Sequence, residues 1–235
     1  MRDLNRQERA AIETVAKRFS ATWENGSDPP DVYIVVAGKQ IAVNITTLKC
    51  RGALKGNPAK PRLRFDKVAT RLIERLQATL GETVPDGMTV LLTITAPIRL
   101  ASKTAAAVEG KIQTVLGRES PSQDEKLTIH GNRVRIRVLT EASKRAPKMI
   151  GFVHNPDSDP LLLLNTTCEL LELISTDVGS RPTRFAGDRW LVVISERDIS
   201  FLRLYRYICS QLLRMTDLKR ILMMFGDGRV EMLTR

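Results

Sequence analysis

Two groups of cations carry the spacing in this chain that is most suggestive of chemistry. Lys39, Lys49, Arg51, Lys55, Lys60, Arg62 and Arg64 fall between Val32 and Phe65, a stretch without a single acidic residue. Glycine and proline lie among them, which predicts a basic loop able to follow a phosphate backbone. Arg133, Arg135 and Arg137 alternate with Val134, Ile136 and Val138. A period of two sends three guanidiniums to one face of a strand and three aliphatic side chains to the other. Like charges on one strand face repel, so the arrangement favours an external anion. Lys144, Arg145 and Lys148 follow closely, and Arg203, Arg206 and Arg214 stand beside Tyr205 and Tyr207. Tyrosines in such company can stack on bases, although the core is the expected place for them.

The whole chain shares this bias. Its 235 residues carry a formal net charge of +11, with a pI near 10.0. That excess points to a polyanionic partner, either nucleic acid or an anionic membrane surface. Hydrophobic residues make up 43 %, enough for a true core, but no apolar run approaches the roughly 20 residues that span a bilayer. A membrane partner is therefore not expected. Charges recur through the first twenty residues, where a signal peptide would be apolar, so the chain reads as cytoplasmic.

Other chemistries lack their residues. His130 and His154 both lie near predicted turns and read as surface histidines, with no Gly-x-Ser-x-Gly elbow to complete a triad. Neither a Gly-x-x-x-x-Gly-Lys-Ser/Thr loop nor a Gly-x-Gly-x-x-Gly turn occurs, and Gly226-Asp227-Gly228 reads as a hairpin turn. Cys50, Cys168 and Cys209 are odd in number and far apart, which fits neither a disulfide framework nor a zinc site.

The elements that must position these residues alternate between helix and strand. Leu4, Ile12, Val15, Ala16, Phe19 and Trp23 recur at helical spacing behind an Asn5–Glu8 capping box. Strands over Asp31–Ala37 and Gln40–Leu48 are joined by a turn at Gly38-Lys39. A loop over Cys50–Pro61, a helix over Phe65–Leu80, a strand over Met88–Thr95 and a helix over Lys103–Leu116 follow. Lys126–His130 and Arg133–Leu139 read as a hairpin across Gly131-Asn132. A Pro-rich patch precedes an apolar segment, Leu161–Ile174, helical from Thr166. The last third reads as strand Arg189–Ile194, helix Asp198–Leu213, strand Lys219–Phe225 and strand Arg229–Leu233. This order predicts one α/β domain over residues 1–235, a mixed central sheet flanked by helices with a C-terminal β-α-β-β extension.

Pro30-Asp31 before an apolar strand, a turn, the strand Gln40–Thr46, and a preceding helix that carries Glu13 form a layout of their own. It resembles the PD-(D/E)XK, or restriction-endonuclease-like, superfamily over about residues 1–95. The C-terminal strand-helix-strand-turn-strand order is similar to the tail of many such proteins. In that family an aspartate on one strand and a Glu-x-Lys on the next converge on magnesium, often with a glutamate from the helix. The metal activates water and stabilises the charge of the phosphodiester in transit. The resemblance thus implies Asp31 as a metal ligand, Glu13 as the helix carboxylate, and Asn44 and Thr46 at the Glu and Lys positions. The two strands predicted here are one fewer than the family sets between its helices. Asn44 is neutral and Thr46 carries no charge, so the implied site is incomplete. The expectation is a nucleic-acid-binding protein on this scaffold whose cleavage is lost, with magnesium relevant only if catalysis survives. Two rivals stand beside it. One is an active magnesium-dependent endonuclease that uses Glu13, Asp31 and a further acid, and the other is a basic adaptor for a protein partner.

Overall fold

The structure is a computed structural model that describes residues 3–26, 29–48, 67–118, 124–140, 146–156, 159–180, 185–212 and 216–233. It is an α/β protein with two mixed sheets and five helices among the described residues. The sequence reads as one domain, whereas the chain groups into two compact units. Met1–Ala53 and Glu169–Arg235 build the first and Leu54–Cys168 the second.

The first unit opens with α1 (Arg6–Arg18), started by the expected capping box. The Asn5 side chain accepts from the Gln7 and Glu8 amides, and the Glu8 carboxylate accepts from the Asn5 amide at 2.9 Å. Helical spacing carries the expectation on to Trp23, but the helix stops five residues sooner. Ser20 turns left-handed at φ 49°, and a Schellman pair closes the end, Ala21 N–H to the Ala16 carbonyl and Ser20 N–H to that of Lys17. Serine instead of glycine at that position hides the stop from a reader of the sequence. Trp23 belongs instead to strand β1 (Thr22–Asn25), which pairs antiparallel with β2 (Val32–Val36).

Strand β2 turns back into β3 (Lys39–Leu48) through Ala37-Gly38, both at positive φ (49° and 77°). A two-residue turn of this kind needs left-handed backbone at both central positions. The expected turn is thus displaced by one residue, and Lys39 starts the strand. Beside β3 runs β8 (Arg189–Ser195) in parallel, followed by β9 (Arg220–Met224), also parallel, and antiparallel β10 (Val230–Met232) at the edge. The sheet order is β1-β2-β3-β8-β9-β10.

On one face α1 lays Ala11, Ile12 and Val15 against Val32, Ile34, Val43, Ile45, Val192 and Ile194. Helix α5 (Leu202–Leu212) covers the other face, where buried Tyr205 brings its hydroxyl to 3.5 Å from Ser195 Oγ. Being buried on both faces explains the unbroken apolar run Trp190–Ile194 within β8.

The second unit stacks α2 (Lys67–Leu80) and α3 (Ala101–Leu116) on a sheet of order β5-β6-β4-β7. Strands β5 (Glu125–Ile129) and β6 (Asn132–Leu139) meet antiparallel through His130-Gly131, again a pair at positive φ (48° and 76°). The expected turn at Gly131-Asn132 is one residue late. Asn132 begins the strand, is buried, and binds the Arg99 amide and carbonyl at 2.8 and 2.9 Å.

Strand β4 (Thr89–Thr95) runs parallel to β7 (Met149–His154), a buried strand lying within the Pro-rich patch that the sequence reading leaves without structure. Helix α4 (Pro160–Ser180) starts six residues before the expected Thr166. A proline in the first turn is compatible with a helix start, and the Asp159 carboxylate accepts from the Leu161 amide at 2.9 Å. Its residues through Cys168 belong to the second unit and those from Glu169 to the first. None of the described helices is long and apolar enough to cross a membrane.

The expected core of residues 1–95 is therefore divided between units. α2 and β4 belong to the second unit, and β3 takes its parallel neighbour from Arg189–Ser195.

Candidate functional site

Asp31 precedes β2 and is buried, with 2 % of its surface exposed. Its backbone carbonyl accepts from the Gly26 amide at 2.8 Å, and its Oδ2 accepts from the Ile45 amide at 2.7 Å. Gly26 is glycine for a steric reason. A Cβ there would lie 2.0 Å from the Pro30 carbonyl oxygen, so only glycine lets the end of β1 pass this close to Asp31.

The β2–β3 register pairs Val32 with Val43. Continuing it by one residue sets Asp31 across from Asn44, which is also buried. Val43 and Ile45 point into the core under α1, so strand parity turns Asn44 and Thr46 together to the other face. The structure thus brings Asp31 and Asn44 together. Glu13 stays apart. It is exposed on α1, whose buried side carries Glu8, Ala11, Ile12, Val15 and Ala16, and α1 covers the sheet face opposite Asn44.

This donor set does not fit magnesium. One carboxylate, already accepting a backbone N–H, faces a neutral amide, where a hard dication calls for several anionic oxygens. Among the described residues no group of three His, Cys, Asp or Glu side chains could hold a metal ion. No hydrolytic step can be derived from these residues.

Of the alternating arginines, two are engaged inside the second unit. Val134 and Ile136 enter the core beneath α2 and α3, as the alternation predicts. On the other face Arg135 is ion-paired to Asp124 through Nε and Nη2. Arg137 donates to the Asn165 Oδ1 at 2.9 Å and lies 3.4 Å from Asp124. The bond from Arg135 holds the Asp124 carboxyl below its ordinary value. Contrary to the expectation of an external anion, Asp124 supplies the anion for Arg135 and Arg137 from within the unit. Arg133 is exposed, with no ion pair among the described residues.

Lys49, Arg51, Lys55, Lys60, Arg62 and Arg64, like Lys144, Arg145 and Arg214, lie outside the described residues. Lys39 is exposed, and Lys148 is paired to Asp86. Arg206 serves the fold, donating to the Met232 carbonyl at 3.0 Å and to Glu231 at 3.1 Å. Arg18 donates to the Val230 carbonyl of the same strand. The two arginines thus occupy carbonyls of the edge strand β10 that would otherwise invite another strand.

Tyr205 is fully buried, as expected, and Tyr207 is half-buried. His130 is exposed as expected. His154 is not: it is buried at the end of β7, with Nε2 at 3.3 Å from Thr95 Oγ1. The Cys209 thiol is pushed up to about 12 by complete burial, which removes it as a nucleophile.

Three features escape the sequence reading. Asp124 pairs with two of the three ladder arginines, Arg135 and Arg137, from the residue before β5. Glu169 and Arg197 form a buried pair at 3.3 Å that ties α4 to the segment after β8. Lys67, Arg71 and Arg75 stand exposed at four-residue spacing on α2, a signal that helical periodicity carries in the sequence. Compared with family models, with curated proteins and with solved structures, the chain matches none.

Proposed function

We propose that this chain is a cytoplasmic nucleic-acid-binding protein on a restriction-endonuclease-like scaffold, and that it binds without cleaving. The observation that carries this reading is the pairing of Asp31 with Asn44 across β2 and β3. A buried carboxylate stands where the family places its aspartate, and an amide stands where the second acid belongs. The order of elements in the first unit supports it. Helix α1 is followed by three antiparallel strands, then by the end of α4 and by β8 parallel to β3. Strand β1 supplies the third strand between helices that the sequence reading lacked. The net charge of +11 favours a polyanion.

Cleavage is the sharpest contrast with the endonuclease rival. Supercoiled plasmid incubated with the full chain and magnesium or manganese should remain supercoiled. Two weak ligands leave magnesium mostly hydrated and poorly held. Nicking by the unmodified chain that disappears in Asp31→Asn would contradict this reading and establish an active site.

A further inference from the structure

We infer that the outer face of α2 is a contact surface for the phosphate backbone of nucleic acid; the inference rests on the nucleic-acid reading above. Ala69, Leu72, Ile73, Leu76 and Leu80 turn inward to the second unit's core. That orientation leaves Lys67, Arg71 and Arg75 exposed at four-residue spacing. At 1.5 Å rise per residue the three cations follow one another at about 6 Å along one side of the helix. A strand of duplex offers a phosphate about every 3.4 Å of axis, so several phosphates come within reach of the row.

The row lacks the compensation found elsewhere in the same unit. Lys111 and Arg118 share Glu125, Arg135 has Asp124, and Lys148 has Asp86. None of Lys67, Arg71 and Arg75 has an ion pair among the described residues, and Glu74 is the only acid on the helix. Cations four apart on a helix repel. Lys67 also sits in the first turn, which holds no acid and where the helix dipole disfavours positive charge. An arrangement unfavourable twice over in the free protein becomes favourable against a row of anions. Charge complementarity thus selects a polyanion of regular spacing, with no reading of bases.

The test compares the full chain with Lys67→Gln/Arg71→Gln/Arg75→Gln on a labelled duplex of arbitrary sequence across a range of salt. All three positions are exposed and their neutralisation relieves the repulsion, so the variant should unfold at a denaturant midpoint no lower than the parent's. Its log affinity should depend on log salt less steeply, by about 0.9 per lost contact, or roughly 2.7 in slope. Low-salt affinity should fall tenfold or more for every sequence alike. Arg71→Gln alone should lower the slope by about 1, which serves if the triple variant proves unstable. Tight binding by the parent with unchanged slope and affinity in both variants would overturn the α2 surface and leave the nucleic-acid reading intact. A parent that binds neither duplex nor single strand would overturn both.

Discussion

Gly26→Ala should destabilise the first unit by about 3 kcal/mol, the upper part of what overpacking costs. The added methyl would lie 2.0 Å from the Pro30 carbonyl oxygen and 2.8 Å from its carbon. Both are backbone atoms, which cannot swing aside as the end of a side chain can. Relief requires the segment leading into β2 to move, and that segment holds Asp31 on the Gly26 and Ile45 amides. Gly38→Ala is the internal control. Its φ of +77° is strained for alanine but its surroundings are open, so it should lose only about 1–2 kcal/mol. Urea titration of both variants checks the ranking, and equal losses would remove close packing as the reason for Gly26.

Asp124→Ala should cost about 2–3 kcal/mol and should be rescued in large part by Arg135→Met in the same chain. The Arg135 side chain is 10 % exposed and that of Asp124 29 %. Removing the acid strands a buried guanidinium, a loss of about 3–5 kcal/mol for a fully buried pair and less for one partly wetted. Replacing the cation with an apolar chain of similar reach removes the stranded charge, so the double variant should be more stable than Asp124→Ala alone. The pair also sets a pH dependence. Its bond to Arg135 lowers the Asp124 carboxyl below 3.8 in the folded chain. The stabilisation is therefore complete above that value and lost as pH falls through the lowered one. Acid unfolding of Asp124→Ala should lack this component. If Arg135→Met fails to rescue, Asp124 has a role beyond neutralising Arg135.

Much of the fold was legible because binary pattern decided it. The alternation of Val134, Ile136 and Val138, the capping box at Asn5, and the apolar runs of β3 and β8 each predicted the observed element. Where the reading failed, a local device outweighed periodicity. Ser20 ends α1 without the glycine that usually marks such a stop, and β7 lies within a Pro-rich patch to which the sequence pattern assigns no element. Both hairpin turns fell one residue early because Ala37 and His130 accept left-handed backbone. The division into two units was hidden because β3 finds its parallel neighbour far along the chain, beyond the reach of local pattern.

The candidate site was legible in part. Strand parity and the Pro30-Asp31 signal brought Asp31 to Asn44. Glu13, expected as the helix carboxylate, is not brought to the site, because helical phase leaves it exposed while Ile12 and Val15 take the buried face. Asp124 stands one residue before β5, across the hairpin from Arg137, so hairpin register could have found it, whereas Asn165 reaches Arg137 only through the tertiary fold. Lys67, Arg71 and Arg75 were open to the same helical reasoning that found the buried face of α2, and attention to cation spacing would have found them.

Affinity of the full chain for a labelled duplex, measured as a function of salt with magnesium present, tests the central claim most directly. The account predicts that log affinity falls linearly with log salt, at about −0.9 for each phosphate neutralised, and similarly for unrelated sequences. Six or more contacts would weaken binding about a thousandfold or more between roughly 50 and 200 mM salt. The duplex should be recovered intact. Affinity that barely changes over that range, or no binding at its low end, would contradict the account and favour an acidic protein as the partner of this basic chain.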